Sequence, residues 1–179
     1  MLKTKKQNKK KKGFTLIELI VVLAVLAIIA LIAIPNFNQI RENSKIKSDE
    51  RGADLIDKSV TLLVQDGSIT GVAGSNGTGD TKYFVYGYNA NGELYVEPGT
   101  GGTTLATGEL EKVKETIIDG KGPQSYNKKA AYRIVAEKLG TTKPNVKVEV
   151  YKSVASAKAG TAADLIYHSD KENSKVATN

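Results

Sequence analysis

The sequence predicts an α+β protein in which a long N-terminal helix packs on a small antiparallel sheet. Three observations carry that prediction. Residues 14–34 form an unbroken apolar run with a single charge. Apolar residues at three- and four-residue spacing recur as far as about residue 65, and short alternating segments separated by glycine-rich turns follow. A long helix, then a small sheet with extra short helices, is an α+β order.

Residues 1–13 read as a basic leader. Lys3, Lys5, Lys6, Lys9, Lys10, Lys11 and Lys12 lie together with no acid among them. They carry the whole net charge of +7, because the remainder holds 19 basic and 19 acidic side chains. The basic character thus belongs to the leader. The body shows no general basic patch, and no specific nucleic-acid site is evident.

Residues 14–34, FTLIELIVVLAVLAIIALIAI, make a helix about 31 Å long at about 1.5 Å per residue, which matches a hydrocarbon core of about 30 Å. The run exceeds the apolar stretch of a secretory signal, about 7–15 residues, and no A-x-A-like site precedes Pro35. The expectation is a single-pass helix through the cytoplasmic membrane. Seven flanking lysines place its N-terminus in the cytoplasm and the body outside.

Two details do not fit a plain anchor. Glu18 puts a carboxylate inside the span at a cost of about 2.5–3.5 kcal/mol, and such groups have partners or remain hydrated near the interface. Its i+3 and i+4 neighbours are Val21 and Val22, and Lys12 is the nearest lysine. Gly13 separates the lysines from Phe14. Cleavage there would create an α-amine one helical turn from Glu18, able to pair within one subunit or between neighbours. Pairing between neighbours would couple carboxylate burial to subunit register. Gly13 also suits a protease, since a residue without a side chain lets the backbone be approached closely.

The stretch Lys12-Gly13-Phe14-Thr15-Leu16-Ile17-Glu18 resembles the prepilin-peptidase site of type IV pilins and related pseudopilins. Pro35 falls at the family's usual proline position, and the resemblance covers the first fifth of the chain. It implies cleavage between Gly13 and Phe14 by an aspartic prepilin peptidase, and N-methylation of Phe14. It further implies a homopolymer, with copies drawn from the membrane through a pilus assembly platform driven by a cytoplasmic ATPase. The apolar helices then form the fibre core on the cell surface, Glu18 sets the register and the head folds as a pilin-like roll. The extent of the head and the lack of a Ca²⁺ constellation favour a pilin over a pseudopilin of a type II secretion-like system. A membrane-tethered domain that never polymerises is the third reading. The chain has no cysteine, unlike the disulfide-closed C-terminal region of many Gram-negative pilins. Its absence points to a Gram-positive source and leaves the C-terminal fold open.

Pro35 removes a helical N–H and crowds the carbonyl of Leu31, so it either kinks the helix or marks where it loosens. Residues 36–65 continue as a helix whose Ala53, Ile56, Val60 and Leu63 form a stripe able to carry a head. Gly52 weakens that helix by about 1 kcal/mol relative to Ala, for the sake of curvature or close packing. Residues 66–179 are the globular head. Strands are expected over 82–88 and 93–97, joined at Asn89-Ala90-Asn91-Gly92, where Asn-Gly suits positive φ. A helix is expected near 109–118, another near 127–139, strands at 146–151 and 164–167, and then a polar tail.

Catalysis finds little support, and no cofactor or enzymatic role is expected. His168 is the single histidine and cysteine is absent, so histidine triads, thiolate chemistry and His or Cys metal clusters are excluded. His168 reads as a surface or packing residue, and the acids along the helices as solvated faces. Asp80 lacks the spaced carboxylates of a Ca²⁺ loop. Tyr83, Tyr86, Tyr88 and Tyr95 read as sheet packing. Asn76-Gly77-Thr78 matches a glycosylation sequon, with no modification expected.

Overall fold

The computed structural model describes residues 13–72, 79–103, 105–117 and 122–169, with the backbone alone for 32–36. The leader lysines, the Asn76-Gly77-Thr78 sequon and the polar tail from residue 170 lie outside the described residues. Contacts divide the chain into two units, Met1–Arg41 and Glu42–Asn179. Helix α1, Leu16–Gln65, contributes to both.

The second unit holds a five-stranded antiparallel sheet. Its strands are β1 (Asp80–Tyr88), β2 (Leu94–Pro98), β3 (Ala131–Leu139), β4 (Asn145–Tyr151) and β5 (Leu165–His168), in the order β2-β1-β3-β4-β5. The Asn-Gly signal sets the β1–β2 turn. Asn89 Oδ1 accepts from the backbone N–H of Asn91 and of Glu93, each at 2.9 Å, and Gly92 takes φ 79°. Helix α2, Thr107–Ile117, occupies the connection from β2 to β3.

Alternation along the strands decides which side chains meet α1. Cross-strand register aligns Val96, Tyr86, Tyr132 and Val150 in one row and Phe84, Ile134 and Val148 in the next. All are buried, with Ala53, Ile56 and Val60 of α1 and Val113 and Ile117 of α2 completing the core. The Tyr86 and Tyr132 rings stack at 5.9 Å between centroids. The expected stripe on α1 is therefore the face that carries the head.

Two expectations for the head need correction. The helix expected near 127–139 is β3, in the middle of the sheet. Ala131, Tyr132, Ile134, Val135 and Ala136 are buried because a central strand is covered on both faces. Such a strand reads as a continuous apolar run, which periodicity alone cannot separate from a buried helix. Residues 152–163, unassigned from sequence, contain helix α3, Val154–Ala159. Ser153 caps it by accepting from Ser156 N at 3.1 Å, and left-handed Gly160 closes it.

The acids do not all lie on solvated faces. Glu109, in the first turn of α2, is buried against Lys82 of β1, whose Nζ lies 2.7 Å from both carboxylate oxygens. The backbone N–H groups of Thr70 and Ala106 also donate to Glu109, at 2.9 and 3.0 Å. Burial pushes the Glu109 carboxyl up, but the bonds from Lys82, Thr70 and Ala106 together with the Lys82 charge outweigh it. Its pKa therefore lies below the ordinary value. Asp49 of α1 is 2% exposed. It accepts from the backbone N–H groups of Gln124 and Ser125, at 2.8 and 2.9 Å, and from the Ser125 hydroxyl. Glu42, two turns earlier, accepts from Tyr126 N. Helix spacing could not reveal these partners, which lie more than seventy positions away in sequence.

These carboxylates hold an unusual backbone. Ser125–Lys128 makes one turn, but Tyr126, Asn127 and Lys128 take φ of 51°, 55° and 63°. Left-handed turns cost L-residues about 1–2 kcal/mol each, less for Asn, so the run needs outside support. Three successive N–H donors bound to α1 provide it.

Gly52 is explained by close packing. A Cβ there would lie 2.5 Å from the Tyr132 hydroxyl oxygen, on a ring held by the core. Overpacking of this kind costs about 1–3 kcal/mol and outweighs the roughly 1 kcal/mol gained in helix propensity. Gly52→Ala is expected to lower the thermal midpoint of the head, and adding Tyr132→Phe to restore most of the loss. A rise in midpoint for Gly52→Ala alone would contradict the packing role.

Candidate functional site

The residues singled out in the first unit lie in sequence order along one short stretch. Gly13, Phe14 and Thr15 precede the helix, and α1 begins at Leu16. Gly13 is exposed, and a Cβ added to it would meet nothing within 4 Å. The fold therefore does not demand glycine there. Phe14 is 90% exposed.

Thr15 and Glu18 form a reciprocal cap. The backbone N–H and the hydroxyl of Thr15 each donate to Glu18 Oε2 at 2.8 Å, and Glu18 N approaches Thr15 Oγ1 at 3.4 Å. This is the capping box of a Thr at the N-cap and a Glu at the third helical position. Glu18 also stands where a negative charge favours the start of a helix. The expected partner of Glu18 was an amine on Phe14. In the uncleaved chain the carboxylate is held by Thr15, and among the described residues Oε1 accepts no hydrogen bond. The role of Thr15 was missed from the sequence, although the spacing T-x-x-E was the signal that could have found it.

From Leu16 to Leu31 the helix is apolar apart from Glu18 in its first turn, and each of its Leu, Ile and Val residues is at least half exposed, from 50% at Val25 to 76% at Leu31. A helix apolar on every side is stable only when something apolar surrounds it. Among the described residues, no helix is long and apolar enough to cross a membrane. The transmembrane helix expected over 14–35 is therefore not shown. The ring of Pro35 lies outside the described side chains. The helical backbone runs through residue 35, so Pro35 does not end α1.

Residues 8–34 match the prokaryotic N-terminal methylation motif. The match takes in Lys9, Lys10, Lys11 and Lys12, the Gly13–Phe14 junction, the capped Glu18 and the apolar run to Ile34. The N-terminal segment is type IV pilin-like. It carries a class III signal peptide of the kind processed by prepilin peptidase, in pilins and pseudopilins alike. No curated protein and no solved structure matches the chain. The comparisons lend no support to a Gram-positive source.

The other residues weighed for function in this pilin-like chain have structural surroundings. His168 is buried, with Nε2 at 3.4 Å from Glu149 Oε1. Asp80 Oδ2 accepts from Val72 N at 2.8 Å. No group of three or more His, Cys, Asp or Glu placed to hold a metal occurs among the described residues. Of the tyrosines, Tyr86 is core and its hydroxyl is pushed up to about 12 by burial. Tyr83 carries the Arg133 guanidinium 4.3 Å above its ring, Tyr95 donates to Glu97, and Lys128 lies over Tyr88.

Proposed function

We propose that this chain is a structural subunit of a type IV pilus, stored in the cytoplasmic membrane and polymerised through the N-terminal part of α1. The observation that carries this reading is the all-round apolar helix from Leu16 to Leu31, whose Leu, Ile and Val side chains the chain itself leaves at least half exposed. Lipid before assembly and identical helices afterwards would both supply the missing apolar surroundings. Each buried CH₂ then contributes about 0.8 kcal/mol, so a helix of this composition gains strongly by transfer to either.

Cleavage of the Gly13–Phe14 peptide bond by a prepilin peptidase frees the amine of Phe14, which the same enzyme methylates. That amine lies one turn from a carboxylate already steered to the helix start by Thr15. In the fibre core the Glu18 charge needs a cationic partner, because an unpaired buried carboxylate costs several kcal/mol. A Phe14 amine of the same or a neighbouring subunit provides it, and copies out of register do not. Extraction from the membrane needs an assembly platform and a cytoplasmic ATPase. The chain's own role in this reading is structural rather than enzymatic.

The test is to shear cells and identify the subunits of the released fibres by mass spectrometry. The expected result is this chain, starting at methylated Phe14, in long surface fibres. A Glu18→Ala variant should still be processed but fall at least tenfold in the fibre fraction. Normal fibres built from Glu18→Ala would overturn the role assigned to Glu18. Absence of the chain from fibres, with secretion lost on its deletion, would identify a pseudopilin instead.

A further inference from the structure

We propose that a cavity between α1 and the end of α2 binds a single hexose, free or as the terminal unit of a glycan. The cavity, about 340 Å³, has the buried Asp49 and Tyr132 in its lining, with Leu55, Ile56 and Ile117 as its apolar part. It lies wholly within the unit Glu42–Asn179, and the inference does not rest on filament assembly.

The observation that points to a ligand is the Tyr132 hydroxyl. Tyr132 is 1% exposed, and buried tyrosine hydroxyls ordinarily have a hydrogen-bond partner. This one has none among the described residues. No fully enclosed side-chain nitrogen or oxygen among them lacks a partner. The sliver of Tyr132 that remains accessible is therefore at its hydroxyl, and it opens on the cavity. Gly52, also in the lining, leaves it that space, since a Cβ there would lie 2.5 Å from the hydroxyl oxygen. Burial, and then the Asp49 charge, push the Tyr132 pKa up, so the group remains a protonated donor.

The rest of the lining specifies the chemistry. Ser59 Oγ and Thr116 Oγ1 donate to the carbonyls of Leu55 and Lys112, and Gln124 Nε2 donates to Tyr88 and Gly122. What these side chains still offer is acceptor oxygens. So does Asp49 Oδ1, which among the described residues accepts only from Gln124 N. A ligand must therefore present an acceptor to Tyr132 and several donors to the others. Ammonium groups have no acceptor and carboxylates no donor, whereas a hydroxyl is both. Several hydroxyls on one small body describe a sugar. Leu55, Ile56 and Ile117 give its C–H face apolar contact, and the exposed Arg51 adds a donor. Size agrees, because a cavity of about 150 Å³ holds benzene and this one has room for about twice as many heavy atoms, as in one hexose.

The experiment records amide NMR spectra of the full chain, in a detergent without sugar groups, during titration with glucose, galactose and mannose. At least one hexose is expected to shift the amides of Gly52, Ile117 and Gln124 at millimolar concentration and to leave those of β5 unmoved. Tyr132→Phe, which deletes only the hydroxyl, should bind at least tenfold more weakly with a thermal midpoint close to wild type. Ser59→Leu, which fills the cavity from an α1 position outside the core, should abolish binding. Tyr167→Phe deletes a hydroxyl bonded to Asp54 outside the cavity and should bind as wild type does. No shift with any of the three sugars would overturn the site, and so would undiminished binding by Tyr132→Phe. Cyclohexanol bound as tightly as the best hexose would overturn the sugar assignment. Methyl glycosides of both anomers separate the two sources: binding retained identifies the end of a glycan, and binding lost with both identifies a free sugar.

Discussion

Glu109→Ala is expected to lower the unfolding free energy of the head by about 3–5 kcal/mol, measured by denaturant titration. Removing one member of a buried ion pair leaves the other charge uncompensated, and that penalty dominates. Here the loss is compounded, because Lys82 Nζ and the N–H groups of Thr70 and Ala106 all converge on the one carboxylate. Stabilities of natural domains run to about 5–15 kcal/mol, so the variant stands near the edge of folding. The effect depends on pH in a defined direction. The folded pKa of Glu109 lies below the ordinary value of 4.5. Its contribution is therefore complete above that value and is lost as pH falls through the lower folded pKa. The gap between wild type and the milder Glu109→Gln should narrow on acidification. A gap that stays constant from neutral pH to about pH 3 would contradict the charged pair. Replacing both Lys82 and Glu109 with apolar residues of similar volume should cost much less than either single change.

The second large effect is expected at Asp49. Asp49→Ala strands two backbone N–H groups and a hydroxyl in a buried setting, each worth about 1–3 kcal/mol when left without an acceptor. The combined loss should reach about 3–5 kcal/mol, with Asp49→Asn intermediate because it keeps one acceptor oxygen. A local signature accompanies it. The left-handed turn depends on donors bound to α1, so amide exchange across residues 124–128 should accelerate well before the sheet opens. Unchanged exchange there would show that the turn is held by something other than Asp49.

Much of the fold was legible where one periodicity dominated. Ala53, Ile56 and Val60 repeat at helical spacing because only one side of α1 is covered by the sheet. Asn89–Gly92 announced its turn because few residues accept positive φ. β3 was not legible for the opposite reason. Both of its faces are covered, so the alternation that marks a strand disappears, and Tyr132, Val135 and Leu139 mimic a helical stripe. Asp49 and Glu109 looked solvated because their partners lie at distances in sequence that no local pattern encodes. Thr15 was legible in principle, since its bond to Glu18 spans three residues of a single turn.

The sequence by itself determined the processing signature. Residues 8–34 match the motif, and Thr15 and Glu18 cap the start of α1 through bonds within a single turn. It also determined that residues 16–34 carry a single charge, Glu18, in an otherwise apolar helix. The tertiary structure decided the rest. Only folding could place Lys82 against Glu109, seat Tyr132 on Gly52, or clamp residues 124–126 to Asp49 and Glu42. The same clamp sets Lys128 and Lys129 beside Tyr88, Asn89 and Ser153. These are contacts between residues tens of positions apart, and their energies arise from burial and geometry that exist only once the sheet has closed on the helix.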